Sequence, residues 1–118
     1  MSTIFIAGQG ESHAETTIDY PRTDRLVTGN PQRLTQNLYE HSHMSCGIWQ
    51  CEVGAWRIEF ATNKQEFFTL IEGKVRLHDL NGNFVEIVAG QAGVIPPDFK
   101  GTFEVIEIVK KYYVIVEV

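Results

Sequence analysis

The chain of 118 residues is short of several things at once: it has two cysteines, ten basic residues against fifteen acidic ones, and no long apolar run. Crossing a bilayer as a helix takes roughly 20 consecutive apolar residues, and here every candidate is broken by charge or glycine within a few positions. A membrane-spanning protein is therefore not expected. The stretch from Met1 to Gly10 has no basic segment and only the apolar patch Ile4-Phe5-Ile6-Ala7, well short of a secretion signal, so a cytoplasmic location is expected. Cys46 and Cys51 are too few for a disulfide scaffold. On one extended strand they would stand about 16 Å apart and face opposite sides, so they are read as reduced thiols. The net charge of -5 argues against a nonspecific phosphate-binding surface, and nucleic acid drops out as a partner. Repeats, low-complexity tracts and linkers are also absent, and no segment of ten or more residues keeps a 3.6-residue period, so helix content should be very low.

What remains is an ordinary soluble composition, 43% hydrophobic and 21% charged, in a chain long enough for one self-sufficient core. Its texture changes near residue 45. Residues 8–36 are mostly polar, and Tyr20-Pro21 and Asn30-Pro31 impose extended or turn conformations. This part reads as an arm over residues 1–35, laid on a body of residues 36–118 or on a partner subunit. Ile4, Phe5 and Ile6 are apolar enough to add an edge strand to their own body or to a neighbour's.

From residue 46 onward, short runs rich in Val, Ile, Phe, Tyr and Trp alternate with Gly and Asn, the pattern of an antiparallel sandwich or barrel. Strands are expected at 46–52, 55–61, 66–72, 74–80, 84–88, 102–109 and 112–118, with short additions at 36–40 and 93–95. Asn81-Gly82 suits a tight hairpin whose two residues take positive φ. Trp56, Ile58 and Phe60 share one face, with Arg57 and Glu59 on the other. In 66–72, Phe68 and Leu70 oppose Phe67 and Ile71, as in a strand covered on both faces, and a homodimer would supply such a cover.

Two spacings carry a family resemblance. Gly54 to Gly73 reads G-x5-Phe60-x-Thr62-x3-Glu66-x6-G, and Gly90 to Gly101 reads G-x5-Pro96-x-Asp98-x2-Gly101. Together they resemble the paired signatures of the cupins, G-x5-H-x-H-x3-4-E-x6-G and G-x5-P-x-G-x2-H. Gly47-Ile48-Trp49, Phe99-Lys100-Gly101-Thr102 and Lys111-Tyr112-Tyr113-Val114 further resemble small cupins such as those of (S)-ureidoglycine aminohydrolase and ethanolamine utilisation. The resemblance implies an all-β, antiparallel cupin β-barrel or jelly roll.

Metal-binding cupins use two His two residues apart, a carboxylate and a third His. Carried onto this chain, those positions hold Phe60, Thr62, Glu66 and Gly101. Phe60 and Gly101 offer no side-chain lone pair, and one carboxylate cannot hold a transition metal against water. Neither metal nor other cofactor is expected. Glu66 has two readings: an acid, base or acceptor at the floor of a barrel pocket and thus a candidate catalytic group, or a motif residue satisfied by a neighbouring hydroxyl or N–H. The expected pocket is small and partly apolar, opened where Gly101 lacks a side chain. It is lined by Trp49, Trp56, Phe60, Thr62, Glu66, Gly101, Phe103, Lys111 and Tyr113. Tyr113 is read as pointing inward. Lys111, two residues before it, would pair with Glu66 or meet an anionic ligand if it does the same.

His41 and His43 would face together on an extended strand with Cys46 near, but they occupy none of the family's ligand positions and read as a solvated loop. His13 and His78 are isolated. No nucleophile elbow or phosphate-cradling glycine loop is present. Three functions stay open: a metal-free cupin binding a small polar metabolite, an enzyme of nitrogen-metabolite chemistry, and a dimeric scaffold subunit.

Overall fold

In the computed structural model, residues 4, 7 and 15–118 are described, and they form one curled antiparallel sheet without an α-helix. The nine strands are β1 (Thr17–Asp19), β2 (Leu26–Thr28), β3 (Arg33–His41), β4 (Met44–Cys51), β5 (Gly54–Glu59), β6 (Lys64–His78), β7 (Phe84–Val88), β8 (Ala92–Ile95) and β9 (Lys100–Glu117). A 3₁₀ turn, Thr23–Arg25, precedes β2. Among these residues no helix is long and apolar enough to cross a membrane.

Two long strands organise the rest. β6 and β9 pair antiparallel from Lys64↔Glu117 to His78↔Thr102. β4 joins the C-terminal half of β9 and β5 its N-terminal half, while β8 and β7 join successive halves of β6. This is the jelly-roll solution to the edge problem: long strands bend between two layers, and their inward side chains make one core. Phe68, Leu70, Val75, Val105 and Val109 are essentially inaccessible there.

The sequence expectation of separate strands at 66–72 and 74–80 is corrected, because Gly73 does not end the strand. It takes φ 93° inside β6, at a series of register shifts opposite β9, and acts as a bulge that bends a continuous strand. A Cβ at Gly73 would collide with the carbonyl of Ile108, so the close approach also requires glycine. Likewise 102–109 and 112–118 are one strand. At Asn81-Gly82 only Gly82 has positive φ, 86°. The turn is wider than a two-residue hairpin: the Asp79 N–H donates to Asn83 O at 2.9 Å, and Asp79 Oδ1 accepts the N–H groups of Asn81 and Asn83. Asp98 stands where the cupin signature has glycine, and it keeps the left-handed φ of 66° that Asp tolerates.

The region read as an arm is partly built into the sheet. β1 pairs with β3 and β2 with β5, so residues 20–25 strap the two ends of the strand path β1-β3-β4-β9-β5-β2. Pro31 is buried against Gly54, whose missing Cβ makes room for the ring. β3 begins at Arg33, three residues before the expected 36–40 strand. Ile4 is 97% exposed, and the expected edge strand at Phe5 and Ile6 lies outside the described residues. The outer faces of Phe67 and Ile71 are bare in the single chain, half and about one-third exposed.

Candidate functional site

The inward residues of β3, β4, β5, β6 and β9 leave a solvent-open cavity of about 560 Å³ at one end of the barrel. Its apolar wall comes from alternation along β5 and β9: Trp56 pairs with Phe103 across the strands, with rings 5.3 Å apart and nearly parallel. Trp49, from β4, meets the same Phe103 edge-on at 5.6 Å. Ile58, Phe60 and Ile95 continue the wall.

At the floor, Lys111 Nζ donates to Glu66 Oε2 at 2.7 Å, and the two side chains are 6% and 9% exposed. Register explains the meeting, since Glu66 lies opposite Ile115 and Leu70 opposite Lys111 on adjacent strands, both side chains on the inner face. The ammonium also lies 4.5 Å from the ring centroids of Trp49 and Phe68 and 5.0 Å from that of Phe103. A carboxylate on one side and aromatic faces on the others replace the water that burial removes from a cation.

The rim is polar. Arg33 on β3 makes a two-pronged ion pair with Asp19 on β1, at 2.9 and 2.7 Å, and its guanidinium lies 5.3 Å over Trp56. Tyr113 Oη donates to Asn37 Oδ1 at 3.0 Å, and Asn37 Nδ2 donates to Glu40 Oε1 at 3.4 Å. Burial pushes the Tyr113 phenol up to about 12, so it stays a protonated donor. Thr35, Ser45 and Lys64 complete the mouth.

Of the sequence-derived set, Trp49, Trp56, Phe60, Glu66, Phe103, Lys111 and Tyr113 line this one cavity. Thr62 and Gly101 do not. Thr62 sits in the exposed turn after β5, which ends at Glu59. Gly101 faces inward opposite Ile58, but the place of a side chain there is taken by the carbonyl of His78 and the ring of Phe99. The space expected to open at Gly101 is thus closed by Phe99, which the sequence reading missed. Asp19, Arg33, Asn37, Glu40 and Lys64 were missed because none is a motif position: Asp19 lies in the arm, Arg33, Asn37 and Glu40 lie on β3, and Lys64 falls between Thr62 and Glu66; the i, i+2, i+4 alternation of Arg33, Thr35 and Asn37 was the available signal.

These residues do not fit a cupin metal. Phe60 lacks a donor atom, Thr62 lies outside the cavity, Gly101 faces a phenyl ring, and the one carboxylate is engaged by an ammonium. No three His, Cys, Asp or Glu side chains converge among the described residues. His41 and His43 flank the tight β3–β4 turn, where Ser42 takes φ 52°, instead of sharing an extended face. His43 Nδ1 lies 3.1 Å from Glu117 O. Cys46 and Cys51 are free thiols on opposite faces of β4, and desolvation pushes Cys51 up to about 12. His78, outside the cavity, contacts Glu104 at 2.8 Å.

A model of the EutQ-like cupin domain matches residues 38–113, which contain β4 to β8 whole together with the end of β3 and most of β9. The chain belongs to this cupin family. Solved structures agree with the fold. The EutQ-like chain is similar to a Pseudomonas syringae protein of unknown function from the DUF861 family (TM-score 0.76, 24% identity, 87% of this chain and 45% of that one). It therefore spans less than half the length of that protein. It is also similar to the Clostridium difficile EutQ protein (0.66, 23%, covering 84% and 80%). A third similar structure is a putative ethanolamine utilisation protein Q from Salmonella typhimurium (0.66, 16%, covering 88% and 97%). No functionally curated protein matches this EutQ-like cupin.

Proposed function

We propose that this cupin binds a small polar metabolite in the barrel mouth without a metal. The observation that carries the reading is the cavity itself. Its size is that of a small-molecule site, eight aromatic or aliphatic side chains wall it, and nine polar ones, six of them charged, converge on it. The Lys111–Glu66 pair stands in the region where metal-binding relatives hold their ion, supplying fixed charge in its place. An enzymatic reading has less support, because Glu66, the group it would use as acid or base, is held by Lys111. Thermal-shift screening of small polar metabolites tests the proposal. A ligand should raise the melting temperature of the native protein by mass action and fail to do so in Thr35→Trp, which fills the mouth. The reading is overturned if no compound stabilises the protein, or if every one that does stabilises Thr35→Trp equally.

We also infer that the EutQ-like cupin is a homodimer joined through its outer sheet face, and the cross-strand register supports this. Val94, Phe67, Val114 and Cys46 form one row across β8, β6, β9 and β4, with Ala92, Thr69, Tyr112 and Ile48 in the next. Neither row contains a charge, and two copies of such a face match each other without burying an unpaired ion.

A further inference from the structure

Six charged side chains of both signs line the cavity: Asp19, Glu40 and Glu66 against Arg33, Lys64 and Lys111. Four of them are spoken for. Asp19 neutralises Arg33 and Glu66 neutralises Lys111. Glu40 and Lys64 are left, and neither makes an ion pair among the described residues. They stand at the same end of the barrel. Glu40 is the next-to-last residue of β3, and Lys64 opens β6 opposite Glu117, whose N–H donates to the carbonyl of His43 just beyond β3.

Each free charge has one neighbour that orients it. The chain Tyr113→Asn37→Glu40 reaches one oxygen of the carboxylate across 3.4 Å at the exposed rim and leaves the other open. Lys64 Nζ lies 5.1 Å over the Phe60 ring, which keeps the ammonium against the wall. Phe60 and Ile115 line the same cavity and offer an apolar surface.

We propose that the mouth selects a compact zwitterion, its ammonium on Glu40, its carboxylate on Lys64, and a short apolar spacer against Phe60 and Ile115. This rests on the cavity-binding reading above and names its ligand class. Lys64 is half-buried and Glu40 stands exposed at the rim, so an amine alone would meet Glu40 and leave the partly desolvated Lys64 without a counter-charge, and a carboxylate alone would forgo the contact with Glu40. Only a ligand with both charges answers both side chains, because the deeper pairs already cancel.

The test is calorimetric titration of the full chain with ω-amino acids of one to five methylenes, alongside the alkylamine and the carboxylate of each length. One length should bind at least tenfold more tightly than its matching amine and carboxylate. Glu40→Lys and Lys64→Glu should each weaken it by tenfold or more. The double reversal, which restores one charge of each sign, should recover binding to within about threefold. The inference is overturned if amine or carboxylate binds as well as the amino acid, if either reversal leaves affinity unchanged, or if no length binds. A neutral or singly charged compound that stabilises the native protein but not Thr35→Trp would then leave the cavity reading intact, whereas a screen without any such compound removes both.

Discussion

Lys111 and Glu66, 45 residues apart in sequence, meet at 2.7 Å beneath three aromatic rings, and each is less than a tenth exposed. Such a pair is costly to break and of small net worth when whole, since desolvation of both ions offsets much of their attraction. Removing one partner strands the other charge in the core. Glu66→Leu and Lys111→Met should each lower stability by about 3–5 kcal/mol, while the double variant should lie within about 1 kcal/mol of the native protein. Urea denaturation of the four proteins measures this. Additive losses in the double variant would show that the two residues act independently.

Elemental analysis of the protein purified without chelator should find transition metal well below one ion per chain. The warrant is geometric, from the donor-free Phe60 and the closed space at Gly101. Stoichiometric metal that survives chelator and is lost in Glu66→Ala would overturn it. Loss in the His41→Ala, His43→Ala double variant would instead place a metal at the β3–β4 turn.

The Asp79 carboxylate accepts two backbone N–H groups in the β6–β7 turn, and these hold it below the ordinary carboxylate value. A carboxyl with a lowered folded pKa contributes stability that is fully present above the unfolded value of about 3.9 and disappears as pH falls through the lower folded one. Asp79→Ala should therefore lower the melting temperature at pH 7 and have progressively less effect below pH 4. Equal losses at pH 7 and pH 2.5 would mean that the ionised carboxylate is not what orders the turn.

Local pattern carried the fold. The alternation of Trp56, Ile58 and Phe60 placed one wall of the cavity, and the Gly, Glu and Pro anchors placed the strands around it. What failed was anything set by register over distance. Gly73 looks like punctuation in one dimension, and only pairing with β9 shows it to be a bulge. The partner of Lys111 was left open because either direction of its side chain suits the last strand. Thr62 was carried in by motif offset, although the strand that would have turned it inward ends at Glu59. Phe99 carries no signal until the chain brings its ring beside Gly101.

The bare outer face leads to the last expectation. Phe67 is half exposed at the middle of an uncharged row, between Val94 and Val114 on the adjoining strands, while Phe68 beside it is wholly buried. The side chains of these neighbours point to opposite faces, so a charge at 67 leaves the core untouched. Phe67→Glu should thus keep the circular dichroism spectrum of the native protein. In a dimer built on this face, two copies of the new carboxylate would be desolvated near each other with no counter-ion, a cost of several kcal/mol. Sedimentation equilibrium should accordingly find the native protein at twice the mass of Phe67→Glu. The exposed Ile108, in the middle of β9 beside the Gly73 bulge and outside both rows, serves as the control, and Ile108→Glu should remain dimeric. A native protein that sediments as a monomer, or a Phe67→Glu variant that stays a dimer, rules this face out as the contact.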